Sequence, residues 1–225
     1  MCSPCSTIYL IGPHRERLGQ IARIAEKDGH ETASFSDPGS FFVAGKIRHA
    51  DCVVLDMTPL DGFAEPFALL AAILEAEQTA PVIGFSAESN VRNAVRAMKL
   101  GAFDYLPFPC TTLELRTSLA EALESVRRHR LEASRHLGLA ARYEQLTARE
   151  KQVFALTVSG LANKEIAETL GLALQTVKIH RGRVFSKMQT TSALELFRFA
   201  QALGHVPNSV PALPEEEKTA RPLRA

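Results

Sequence analysis

One short segment near the end of the chain carries cationic and amide side chains at helical spacing. Residues 174–188 place Val177, Val184 and Met188 on one apolar helix face. The opposite face is polar and cationic and consists of Gln175, Lys178, Arg181 and Gly182. Ile179 and His180 lie at its edges. Side chains of this kind donate to base edges and phosphates, so the pattern predicts a helix that enters the major groove of DNA.

A second helix is predicted just before this one. Asn163–Leu170 has Ile166 and Leu170 pointing inward, a small Ala167 where another helix can approach, and a tight turn at Gly171-Leu172. The two helices together indicate a helix-turn-helix, flanked by candidate phosphate contacts at Lys164, Arg183 and Lys187. The alternative is a generic helical domain with a solvated charged face.

The stretch Leu146–Met188 resembles the LuxR-type four-helix DNA-binding domain. Its landmarks are LTARE from Leu146, GLANKEIA from Gly160 and TVKIH from Thr176. The resemblance implies that base edges are approached by Lys178, Ile179 and Gly182. It implies backbone contacts by Thr176, His180, Arg181, Asn163 and Lys164.

Two positions depart from that family's pattern, and its last helix implies an assembly. Ala173 stands where a Ser usually caps the recognition helix, which costs about 1 kcal/mol of local stability, and Gly182 lacks a side chain that some relatives use on bases. In the family the last helix, here Ser192–Leu203, pairs two copies. Leu194, Phe197 and Leu203 would supply that contact, and some of them must also close the core.

Charge is distributed unevenly along the 225 residues, although the formal net charge is only +1. Residues 1–125 hold 16 acidic and 10 basic side chains, whereas residues 145–205 hold 8 basic and 4 acidic ones. The basic part is therefore the one expected to meet a polyanion. No apolar run approaches the roughly 18–20 residues of a membrane span, and no signal peptide is recognised, so we expect a cytoplasmic protein without a membrane partner.

Cysteine and histidine placement does not indicate a metal site. The Cys2–Cys5 pair precedes the first predicted strand and has no second ligand pair, so a frayed terminus is favoured over redox or metal sensing. The seven histidines do not cluster at metal-ligand spacing, and no P-loop or nucleophile elbow occurs. We therefore expect no enzyme activity, no metal and no cofactor.

The first half alternates apolar runs with helical patterns. Strands are predicted at Thr7–Ile11, Cys52–Leu55, Pro81–Phe85 and Phe103–Leu106, with a weaker one at His30–Phe35. Helices are predicted near 14–28, 38–48, 63–77 and 89–100, the last ending at Gly101. This order predicts an α/β fold, a doubly wound five-stranded parallel sheet, followed by an all-α domain. We expect domains at 1–125 and 146–205, a helical linker over 126–145 that Gly138 could interrupt, and a disordered tail over 206–225.

Residues 6–125 resemble the receiver domain of two-component response regulators of the FixJ/NarL class. The segment AMKLGAFDY, from Ala97 to Tyr105, matches closely. The resemblance places Asp56 at the phosphoacceptor position and Ser86 and Tyr105 at switch positions. It also implies two acidic residues after the first strand and a Lys after the fifth, but the chain has Gly12-Pro13-His14-Arg15 and Phe108 there.

The missing charges indicate a degenerate receiver, because phosphoryl transfer to a carboxylate needs Mg²⁺ bound by carboxylate oxygens. Asp56 is then expected to be a structural acceptor that faces His14 or Arg15. The main hypothesis is a regulator that binds double-stranded DNA as a homodimer at half-sites about one helical turn apart. Its control would be independent of phosphorylation, with a small molecule or protein as input.

Two alternatives remain open. One is a conventional response regulator that a histidine kinase phosphorylates at Asp56. The other is a protein-interaction adaptor without specific DNA binding, which would lack the steep salt dependence of a DNA-binding protein.

Overall fold

The computed structural model describes residues 5–36, 39, 41, 50–59, 65–76, 80–88 and 90–205. It contains two compact units, Met1–Arg130 and Leu131–Ala225, and each is described by itself. The predicted helix over 38–48 lies outside the described residues, apart from Gly39 and Phe41, and so does the predicted tail. Of the helices that the structure describes, none is both long and apolar enough to cross a membrane.

The first unit is built on a five-stranded parallel sheet in the order β2-β1-β3-β4-β5. Its strands are β1 (Thr7–Ile11), β2 (Glu31–Phe35), β3 (Cys52–Asp56), β4 (Val82–Ser86) and β5 (Asp104–Pro107). Every residue of β3 and β4 is buried, which is why these runs are continuously apolar and do not alternate. The strand order reverses between β1 and β3, and doubly wound folds place their sites at the carboxyl ends of such neighbouring strands.

Helices cover both faces of the sheet. They are α1 (Arg15–Lys27), α2 (Pro66–Ala76), α3 (Val91–Leu100) and the start of α4 (Thr112–Glu144). One buried cluster packs α2 on the sheet through Leu70 and Ile73, and a second packs α1 and α4 through Leu18 and Leu119. The predicted end of α3 is confirmed, because Gly101 adopts a left-handed φ of 109°. The doubly wound α/β prediction is correct.

The helix α4 is 33 residues long and passes through Gly138 without interruption. Its first half is buried against the sheet, and its second half, the predicted linker, is mostly exposed. Within the first unit, Arg130 donates to Asp51 at 2.5 Å, and the same carboxylate accepts from the backbone N–H of Thr7 at 2.8 Å. This ion pair connects α4 to the residue just before β3, the central strand of the sheet.

The second unit is all helical. After the end of α4 it contains α5 (Ala148–Val158), α6 (Asn163–Leu170), α7 (Leu174–Met188) and α8 (Ala193–Ala202). The core includes Ile166, Val177, Val184 and Met188, so the predicted apolar face of α7 is confirmed. Gly171, with φ 63°, makes the turn between α6 and α7 where a left-handed residue is needed.

The sequence pattern Ser/Thr-x-x-Glu predicts two capping boxes, at Thr147–Glu150 and at Ser192–Glu195, and only the first forms. Thr147 accepts from the N–H of Glu150, whose carboxylate accepts in return from the Thr147 N–H at 2.9 Å. The prediction of a second box at Ser192 and Glu195 is wrong. The carboxylate of Glu195 accepts instead from the hydroxyl of Thr190 at 2.5 Å, and the N–H of Ser192 donates to that same hydroxyl at 3.2 Å.

The carboxylate of Glu150 is only 2% exposed and accepts from the ammonium of Lys187 on α7 at 2.6 Å. Burial raises the pKa of Glu150, but the hydrogen bonds from Lys187 and Thr147 outweigh it and hold the pKa below its ordinary value. The folded state therefore binds this proton more weakly than the unfolded state. The resulting stabilisation is present above about pH 4.3, the unfolded pKa, and is lost as the pH falls through the folded pKa.

We expect Glu150→Gln to lower the free energy of opening of α5 and α7 by about 1–3 kcal/mol at pH 7, because a charge-assisted bond is lost. Amide hydrogen exchange in these helices measures the change. From about pH 5 down to about pH 2, across the unfolded pKa and the lowered folded pKa, the wild type should lose more protection than the variant. Glu144→Gln is the control, since that carboxylate is 72% exposed beside Lys151. Equal effects of the two variants would contradict the assigned role of Glu150.

Candidate nucleic-acid interface and the pocket at Asp56

Asp56 ends β3 with a completely buried carboxylate whose two oxygens both have partners. Oδ2 lies 2.8 Å from Nδ1 of His14, and Oδ1 accepts from the N–H of Thr58 at 2.9 Å. In the tautomer that carries its proton on Nδ1, His14 donates this hydrogen bond to Asp56. The expected contact between Asp56 and His14 is present.

Arg17 supplies a cation to this pocket. Its guanidinium lies 3.7 Å from Oδ2 of Asp56, donates to the hydroxyl of Thr58 at 2.8 Å, and lies 5.6 Å from the ring centroid of Phe108. Arg15, the expected alternative, donates to Ser36. The sequence pattern did not predict Arg17, although it follows the N-cap residue His14 by three positions and its guanidinium lies 3.5 Å from Nδ1 of His14.

The hydroxyl of Thr58 connects the ends of two strands. Besides the bond from Arg17, it accepts from the N–H of Ala87 at 3.0 Å and lies 3.5 Å from the hydroxyl of Ser86. Ser86 is buried at the end of β4, and Tyr105 is half-buried on β5. Of the two predicted switch positions, Ser86 therefore lies on the strand next to that of Asp56, and Tyr105 lies one strand further along the sheet. Thr58, which had no predicted role, joins Ser86 to Arg17.

The donor set at Asp56 does not fit the Mg²⁺ that a receiver fold implies. A hard cation takes several oxygen ligands, but Asp56, the carboxylate that the described residues place here, is already bonded and faces His14 and a guanidinium. A side chain at Gly12 is excluded, because its Cβ would lie 2.4 Å from Cβ of Asp56. Within the described residues, no group of three His, Cys, Asp or Glu side chains could hold a metal.

The second candidate site is the outward face of α7. Gln175, Lys178, Ile179 and Gly182 are exposed, and Ile179 retains 48% exposure despite its apolar side chain. A Cβ at Gly182 would meet nothing within 4 Å, so the helix surface there is open. Thr176 and His180 are half-buried at the edges of this face. An exposed strip of this composition can lie against base edges.

Two basic residues of the predicted interface, Arg181 and Lys187, are held by partners inside the unit. Arg181 donates to Oδ1 of Asn163 at 2.5 Å, which joins α7 to the start of α6. Lys187 uses two of its three donors on Glu150 and on the carbonyl of Gln145. Lys164 is exposed beside Asn163. Arg149, missed by sequence reasoning although it lies in the LTARE landmark, donates to the carbonyl of Leu170 at 2.9 Å and fixes the end of α6.

Two families match the chain, one for each unit. Residues 8–120 match the family described as "Response regulator receiver domain", and residues 144–200 match "Bacterial regulatory proteins, luxR family". The tetrathionate response regulatory protein TtrR of Salmonella typhimurium is 31% identical over 195 residues, which are 86% of this chain and 91% of that protein. The transcriptional regulatory protein FixJ of Bradyrhizobium diazoefficiens is 30% identical over 88% of this chain and 95% of FixJ.

The chain belongs to the FixJ/NarL class of response regulators. Solved structures agree: the response regulator StyR superposes with a TM-score of 0.73 at 27% identity, over 87% of this chain and 98% of that one. Full-length FixJ from B. japonicum superposes with a TM-score of 0.52 at 27% identity, over 90% and 98%. The protein is thus a DNA-binding response regulator with a receiver domain and a LuxR-type helix-turn-helix.

Two departures of this response regulator from the patterns of its class are visible in the structure. Ala173 is the N-cap of α7 and makes no side-chain cap bond, so α7 starts without the hydrogen bond that a Ser would give. Phe108 replaces the Lys after β5 and packs on Phe85 with ring centroids 5.6 Å apart. The cation near Asp56 consequently comes from α1 and not from the end of β5.

Proposed function

We propose that this response regulator binds double-stranded DNA as a homodimer through α7, and that binding does not require phosphorylation of Asp56. The independence from phosphorylation is supported by the groups that surround the Asp56 carboxylate. Its two oxygens accept from His14 and from the Thr58 backbone, and its side chain has no exposed surface.

Phosphoryl transfer needs a free carboxylate oxygen and cations arranged around the incoming phosphoryl group. At Asp56 the guanidinium of Arg17 and the imidazole of His14 are engaged by the carboxylate itself, because both reach the same oxygen. The Arg17–Thr58 hydrogen bond also joins α1 to the ends of β3 and β4 without any phosphate. We infer that the input is a small molecule or a protein partner.

The proposed reading of DNA rests on the exposed face of α7. Lys178 can donate to guanine O6 and N7, and Ile179 can contact a thymine methyl group. Gly182, beside them, allows close approach of the backbone. We assign phosphate contacts to Thr176, His180, Arg181, Asn163 and Lys164, and Gln175 belongs to the same exposed face as Lys178. Lys187 remains in the predicted set, although its charge also stabilises the fold.

The proposed dimer contact lies on α8. Leu194 is 60% exposed, whereas Leu196 and Ala200 on the same helix are fully buried. Phe197 and Leu203 are partly buried and pack against the core, so they serve the fold and leave Leu194 as the main apolar group for a second copy. Two copies would then meet half-sites about one helical turn apart.

The first test compares two lysines of the same unit. On a fragment that the wild type selects from genomic DNA, Lys178→Ala should reduce the preference over random DNA by about 1–3 kcal/mol, roughly 5- to 150-fold, because a base contact is lost. Lys164→Ala should weaken both DNAs equally and lower the slope of log affinity against log salt by about 1. Fluorescence anisotropy measures both effects. Identical behaviour of the two variants would contradict the assignment of Lys178 to base contacts.

The second test concerns Asp56. Asparagine keeps the acceptor for the Thr58 N–H, and His14 can offer its other tautomer, so Asp56→Asn should fold. We expect the unmodified wild type and Asp56→Asn to be dimers by light scattering and to bind the selected fragment within about twofold of each other. A wild type that is monomeric and binds only after treatment with a phosphodonor would establish the conventional mechanism. A folded protein with no salt-dependent DNA affinity would establish the adaptor.

A further inference from the structure

A groove lies on the second unit between the last part of α4 and α8. Its volume is about 310 Å³, and its lining consists of Ser134, Arg135, Gly138, Leu139, Arg142 and Phe199. Leu139 and Phe199 contribute apolar side chains to its lining, and Arg135 and Arg142, seven residues apart on α4, contribute basic ones. Gly138 contributes no side chain, and a Cβ there would meet nothing within 4 Å.

The two arginines have no acidic partner in the part of the chain that the structure describes. The ion pairs found there include Lys151 with Glu144 and Lys187 with Glu150, but none involves Arg135 or Arg142. Two like charges on successive heptad positions of one helix repel each other weakly, so the groove favours an anionic occupant. Because Leu139 and Phe199 also line the groove, a bound peptide should carry apolar side chains next to its acidic residues in sequence.

The chain leaves α8 beside this groove. His205 is the last described residue. Its ring stacks on Tyr143 with centroids 4.4 Å apart, and its backbone N–H donates to the carbonyl of Ala200 at 2.8 Å. Tyr143 follows Arg142 directly on α4. The next residues of the chain therefore start within one turn of the basic end of the groove.

The sequence after His205 has the composition that the groove favours. Residues 206–225 read VPNSVPALPEEEKTARPLRA, in which Val210 and Leu213 precede three consecutive acids, Glu215–Glu217. Nine residues separate His205 from Glu215, enough to span up to about 30 Å when extended. Arg142 and Arg135 are about 10 Å apart along the helix axis, so the acids can reach both.

We propose that the C-terminal segment 210–217 docks in this groove of its own chain. Val210 and Leu213 cover Leu139 and Phe199, and the acids of Glu215–Glu217 pair with Arg135 and Arg142. A tethered segment has an effective concentration near the millimolar range, so weak contacts suffice. Phe199 lies about 140° around α8 from Leu194, and the docked segment leaves the proposed dimer face free.

The test uses full-length protein with Arg135→Lys and Arg142→Lys, which keep both charges and add amines. A water-soluble carbodiimide activates glutamate carboxylates, and a nearby lysine amine displaces the urea to form an amide. We expect amides from positions 135 and 142 to Glu215–Glu217, at about tenfold the yield of those from Lys164 and Lys178, the exposed native lysines of the same unit. The yield should fall in 1 M salt, where charges are screened.

An equimolar mixture of ¹⁴N- and ¹⁵N-labelled protein identifies the source of the segment. Cross-linked peptides carrying a single isotope establish docking within one chain. Peptides of mixed isotope would show that the groove holds the tail of a second copy, and yields equal to those of Lys164 and Lys178 would show that it holds no tail. Both results overturn the proposal, and neither affects the assignments at Asp56 or on α7.

Discussion

A carboxylate buried at the end of a central strand must be compensated where it lies, and the receiver domain of this protein is organised around that constraint. Leaving a charge unpaired in such a place costs several kcal/mol. Asp56 is compensated by His14 and Arg17 from α1 and by the backbone of Thr58. Gly12 permits the close approach of β1 that brings α1 within reach. The same bonds that satisfy the charge also link α1, β3 and β4.

In the DNA-binding unit, hydrogen bonds and ion pairs between helices hold the recognition helix α7 in place. Its core fixes the inner face of α7, and polar contacts fix the helices around it. Glu150 holds Lys187, Asn163 holds Arg181, and Arg149 holds the end of α6. Each of these bonds joins two helices, so the exposed strip of α7 is presented by a framework of ion pairs and hydrogen bonds. Preorganisation of this kind lowers the entropy that ordering the interface would cost on binding DNA.

Much of this was predictable from the sequence, and the failures have physical causes. Continuous apolar runs and helical periodicity predicted the strands, α6 and α7, because burial imposes those patterns locally. The Asp56–His14 contact was also foreseen. Arg17 was missed since a long side chain on α1 reaches a pocket that only the folded sheet creates. The Ser192–Glu195 box failed because Thr190, outside the motif, competes for the carboxylate.

We infer that side chains of the protein itself, Arg17 and His14, occupy the place where a receiver would use Mg²⁺ and phosphate. Isothermal titration calorimetry of the full-length protein with beryllofluoride, a phosphate mimic, in the presence of Mg²⁺ tests it most directly. We expect no saturable heat for the wild type. Stoichiometric binding to the unmodified wild type, abolished by removal of the Asp56 carboxylate, would contradict it.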